Sequence, residues 1–225
     1  MTVLHLADEG EAADLAAFLT RLLRYDRGAA VRLQAAGTAL AVFGRPPSFE
    51  VLAIRAVRLA KPYENGLDVT LDVTVSAGEL LESVDETAAT AAVPGAVTGP
   101  PWAGVLPPRG GWRPEPGLPE TDALRAMVAA GVAEFRTRTQ ELAPEARTRA
   151  ELDRIGAEIW TRTVGATRLP VRAVHAAQSL GFLRPVPGAR EPALLSCGAW
   201  LRLRTPYGSI AVRRAGLGAL GVSVR

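Results

Sequence analysis

At 225 residues, with 48% hydrophobic and 22% charged side chains, the chain has the make-up of a folded globular protein and not of a disordered or fibrous one. The net charge is only +3, and the longest apolar runs, at 128–132 and 217–222, fall well short of the roughly 20 residues that cross a bilayer. A single cysteine, Cys197, excludes an intrachain disulfide, and acidic residues stand where a secretory leader would be basic, so the expectation is a cytoplasmic protein.

Residues 2–6 read as a short strand and 8–24 as an amphipathic helix, with Leu15, Phe18, Leu19, Leu22 and Leu23 on one side. Asp8, Glu9, Glu11 and Asp14 near its start suit the positive end of the helix dipole. From 29 to 75 the pattern turns to short β-branched runs at 30–34, 39–43, 49–59 and 67–75. Ala36-Gly37, Arg45-Pro46-Pro47 and Asn65-Gly66 separate them, as in an antiparallel meander. With a short helix at 78–84, the order of elements is similar to one lobe of a DNA sliding clamp, without a shared motif. The carboxylates Asp68 and Asp72 are too far apart along a strand to act as a pair.

Residues 88–119 are rich in Pro, Gly, Ala and Thr and form a strap between a sheet part (1–87) and a helical part (120–225). Trp102 and Trp112 in this strap either pin it to the protein's own core or, with Arg109, offer a surface to a protein partner. Helices follow at 120–142 and 147–164, with Pro144 between them, and a third begins at Leu169-Pro170 and stops near Gly181. The tail alternates: Trp200, Arg202 and Arg204 face one way and Leu201 and Leu203 the other, before Pro206-Tyr207-Gly208 turns the chain into a second strand. The predicted fold is therefore α+β: an N-terminal helix packed on an antiparallel sheet, then a helical domain that ends in a β-ribbon, winged-helix-like in its order of elements.

Charge is divided unevenly. Residues 152–225 carry 11 arginines against Asp153, Glu158 and Glu191, which makes this third +8 and leaves the first 151 residues at −5. Such a block points to an anionic partner. On the third helix, Arg172, His175, Gln178 and Ser179 recur at spacings of three and four and so share one stripe, while Arg202, Arg204 and Arg213 would form a basic wing. Arginine supplies 25 of the 26 basic residues, beside abundant Ala, Gly and Pro, as a high-GC bacterial genome would encode. An arginine is thus not by itself a site.

No catalytic constellation is found by spacing. The two histidines, His5 and His175, have no metal-ligand partner at suitable spacing, and neither a nucleophile elbow nor a phosphate-binding glycine loop occurs. The turn Arg109-Gly110-Gly111 has no following lysine. His175 with Cys197 is the one conceivable base and nucleophile.

Three stretches, 107–112 (PPRGGW), 179–183 (SLGFL) and 200–213 (WLRLRTPYGSIAVR), resemble uncharacterised actinobacterial proteins of similar length. The resemblance covers most of the chain and implies no activity, ligand or site residue. The expectation is a non-enzymatic bacterial protein, without cofactor or metal, whose basic C-terminal part binds nucleic acid. The alternative is a protein-interaction or assembly module that uses the tryptophan strap or a sheet edge.

Overall fold

The computed structural model describes residues 2–60, 71–185, 188 and 191–214. Its first part contains β1 (Val3–His5), α1 (Glu9–Tyr25), β2 (Ala30–Ala36), β3 (Ala39–Gly44), β4 (Leu52–Arg58), β5 (Asp72–Ser76), α2 (Ala77–Glu82), β6 (Val84–Asp85) and β7 (Thr90–Ala92). After the strap come β8 (Arg113–Glu115), α3 (Thr121–Glu141), α4 (Arg149–Trp160), α5 (Val171–Ser179), β9 (Ala193–Cys197), β10 (Trp200–Thr205) and β11 (Gly208–Arg213). The protein is α+β, as its sequence predicts. The Asn65-Gly66 break, Asp68 and the start of the strand expected at 67–75 lie outside the described residues.

Local signals account for the element ends. The Asp8 carboxylate caps α1 by accepting from the Glu11 N–H at 2.8 Å, and Ser76 and Thr148 cap α2 and α4 in the same way. Gly37, with φ of 58°, makes the tight turn of the β2–β3 hairpin.

Eight strands form one antiparallel sheet in the order β5-β2-β3-β4-β11-β10-β9-β8, and β1, β7 and β6 form a small second sheet. β4 explains this order. Leu52, Ala53, Ile54 and Arg55 are all buried, which marks a central strand covered on both faces and paired on both sides. β3 lies on one side and β11 on the other, with Ile54 opposite Ser209. The tail strands therefore extend the N-terminal sheet, which crosses the segmentation at 1–87, 88–119 and 120–225.

The two faces differ. The inner face packs Val31, Leu33, Leu40, Val42, Leu201, Leu203 and Ile210 under α1 and α5, in one core that joins both halves of the chain. Phe18 of α1 stacks on Phe182 at 5.7 Å, beyond the end of α5. The outer face carries a smaller apolar patch of Phe43, Leu52, Ile54 and Ala211, against which Trp102, Leu106 and Trp200 pack. Among the described residues both sheet edges are blunted. The Val97 N–H donates to the Thr74 carbonyl beside β5, and β8 is three residues long with Pro114 at its middle.

Candidate nucleic-acid interface

The helix stripe and the basic ribbon meet different surroundings. α5 lies on the inner side of the sheet, packed on β11 and α3 and against the turn Pro47–Phe49. Val171, Ala173, Val174, Ala176 and Ala177 are buried, so little of its circumference remains open. Arg172 makes a 3.6 Å ion pair with Glu50, and the His175 ring is edge-on to Phe49 at 5.0 Å and tilted over Trp160 at 4.4 Å. Burial pushes the His175 imidazole below its usual pKa, so it is neutral at neutral pH. Gln178 is exposed and Ser179 half-buried. Two of the four stripe residues thus touch residues 49–50 of the N-terminal half.

The ribbon is different. The period of two in β10 turns Leu201 and Leu203 to the core and leaves Trp200, Arg202 and Arg204 on the outer face. Register places Arg213 beside Trp200 across the β10–β11 pair. The strap crosses the same face. Trp102 sits in the short 3-10 turn Pro101–Gly104 on the apolar patch. Farther along, the Trp112 indole N–H donates to the Pro108 carbonyl at 2.9 Å, and the Arg202 guanidinium lies 5.7 Å from the Trp112 ring centroid. Arg109 is exposed between these two tryptophans in sequence.

Arg202 is the least satisfied cation of this face. Its Nε is buried without a hydrogen-bond partner, and no carboxylate pairs with it among the described residues. Burial, and then the neighbouring Arg204 charge, lower its pKa, yet a guanidinium stays protonated in water at any ordinary pH. By contrast Arg32, at the far end of the outer face, pairs with Asp72 at 2.8 Å and holds that carboxyl below its usual range. Asp72 is the counter-ion of Arg32. A cleft of about 390 Å³ between Trp102, Trp200 and Arg213 also takes in Arg45, from the end of β3.

The structure does not bring His175 and Cys197 together. The Cys197 thiol is 3.5 Å from the Gly110 carbonyl at the strap, while His175 packs with Phe49 and Trp160. Among the described residues no group of three His, Cys, Asp or Glu side chains could hold a metal ion. No helix among them is long and apolar enough to cross a membrane. Sequence reasoning missed two residues of the outer face: Trp200 as a cleft wall and Arg45, whose Arg-Pro-Pro context reads only as a turn.

Residues 1–104 match the family model of a domain of unknown function, DUF8010, and residues 107–217 match a second domain of unknown function, DUF8185. The two models together cover all but residues 105–106 and 218–225, and neither description attaches an activity. No curated protein matches the chain.

Proposed function

We propose that this protein binds single-stranded nucleic acid on the outer face of its sheet, with Trp112, Trp200 and Trp102 as stacking surfaces and Arg202, Arg204 and Arg213 as phosphate contacts. The observation that carries the reading is Arg202, a half-buried cation without a carboxylate partner, set beside a tryptophan face and a second arginine. Keeping such a charge out of water is costly unless an anion joins it. Aromatic faces interleaved with arginines are the requirement for holding a single strand, because every base has a face to stack and every nucleotide a phosphate to neutralise.

The winged-helix form of the reading puts α5 into a duplex major groove with β10 and β11 as its wing. It needs Arg172 and His175 free, and their contacts with Glu50, Phe49 and Trp160 favour the sheet face instead.

Fluorescence anisotropy with a labelled oligo(dT) of about 20 nucleotides, titrated between about 50 and 200 mM salt, tests the proposal. The double variant Arg202→Gln/Arg204→Gln is expected to weaken binding and to flatten the salt slope by about 1.4, two phosphate contacts at about 0.7 each on a single strand. Trp112→Ala is expected to weaken it by about 1–3 kcal/mol. No binding at the lowest salt, or a double variant that binds like the parent, overturns the reading. Preference for duplex, lost in Gln178→Ala, would move the interface to α5.

A further inference from the structure

A second cleft, of about 620 Å³, opens on the helical side of the sheet and is lined by none of the outer-face tryptophans. Its volume is that of a small-molecule site. Four aromatic rings run through it in an unbroken row: Tyr25 meets Phe49 edge-on at 5.3 Å, Phe49 meets His175 at 5.0 Å, and His175 lies over Trp160 at 4.4 Å.

Trp160 packs against two helix glycines, of which Gly131 leaves no room for a Cβ and Gly156 does. A Cβ on Gly131 of α3 would fall 2.9 Å from the Trp160 ring, and one on Gly156 of α4 would touch both Trp160 and Phe135, at 3.6 and 3.7 Å. Each glycine inside a helix costs about 1 kcal/mol relative to alanine. The opposite wall carries strain of its own, since Glu50, a non-glycine residue, has a left-handed φ of 50°.

Arg172, the one arginine among the lining residues, lies deeper in the cleft than the carboxylates. Arg172 has a side chain only 23% exposed, its Nε is buried without a hydrogen-bond partner, and its ion pair with Glu50 is long. The lining carboxylates Glu50 and Asp153 stand at the rim, with side chains 71% and 72% exposed, where water screens them.

We propose that this cleft binds a planar aromatic acid, its ring against the aromatic row and its carboxylate on Arg172. The ligand would touch residues of both matched regions, since Phe49 and Glu50 lie in 1–104 and Phe135, Trp160 and Arg172 in 107–217. A cationic ligand is disfavoured by Arg172, and a purely apolar one would leave its guanidinium with the long Glu50 pair alone.

The test is a titration of the full chain with 2-naphthoate, followed by the Trp160 indole N–H signal in proton–nitrogen NMR and assigned with Trp160→Phe. A saturable shift of that signal is expected. Arg172→Gln should weaken the acid on the order of tenfold, the worth of a charge-assisted hydrogen bond. The neutral isostere 2-naphthamide should bind the parent and Arg172→Gln equally weakly. Glu50→Gln, a change at an exposed position, should tighten 2-naphthoate about threefold by removing the competing rim charge. It serves if Arg172→Gln does not fold. No saturable Trp160 shift, an amide that binds as tightly as the acid, an affinity unchanged in both variants, or a Trp160 shift with tetramethylammonium would each overturn the proposal.

Discussion

Gly131 shows how a single missing methyl group can be a structural commitment. Its helix would gain about 1 kcal/mol from alanine, but a Cβ there would lie 2.9 Å from Trp160 and 3.3 Å from Ile159, both on the facing helix α4. Overpacking of this kind costs about 1–3 kcal/mol, so the clash outweighs the propensity gain. Gly131→Ala is expected to lower stability by about 1 kcal/mol net and to shift Trp160 emission, as read by urea denaturation followed through fluorescence. A variant as stable as the parent would mean that α3 and α4 can part without cost.

At the scale of elements, Arg55 ties together three parts of the chain. From β4 it donates to the Tyr207 carbonyl at 2.7 Å, in the turn between β10 and β11, and to Glu11 at 2.8 Å on α1, with Asp14 at 3.4 Å. Arg184 adds to the cluster through Asp14 and lies 3.2 Å over the Tyr207 ring. Removing one partner of a buried pair leaves the other charged and desolvated, at about 3–5 kcal/mol. Arg55→Met should therefore destabilise the protein by about 3 kcal/mol in chemical denaturation, near the lower end because Arg58 still pairs with Glu11. A loss below about 1 kcal/mol would show that water already screens the cluster.

Much at this scale was legible in the sequence. The period of 3.6 in 8–24 and the alternation at 200–204 give α1 and β10, because burial of one face leaves a local trace. The outward direction of Arg202 and Arg204 followed from the same alternation. β8 was not legible, since Arg113-Pro114-Glu115 has no strand pattern and pairs only because β9 stands beside it. The pairing of β4 with β11 was equally hidden, as hydrogen-bond partners leave no mark on either strand. Spacing grouped Arg172, His175, Gln178 and Ser179 on one stripe, but it could not reveal that Phe49 and Glu50, over 120 positions earlier, cover half of it.

For the whole molecule, two matched regions share one sheet and one core, and this sets how it should unfold. A fragment of residues 1–104 would keep β4 with a bare edge and lose the β11 residues that cover it. The full chain is expected to unfold in a single transition, with coincident midpoints by far-UV circular dichroism and by tryptophan fluorescence. The 1–104 fragment alone is expected to be unfolded or aggregated. Two separated transitions would show that the seam between β4 and β11 is weaker than either half.

That seam also fixes the order of events when the protein is made. β4 meets β11 across some 150 residues of chain, a long-range closure of the kind that slows folding. At a synthesis rate of about 5–20 residues per second, β4 waits roughly 8–30 s for its neighbour to leave the ribosome. Throughout that interval Leu52, Ala53 and Ile54 present an apolar strand with one edge unpaired. The nascent chain is therefore most open to mispairing after β4 is made and before its last ribbon arrives.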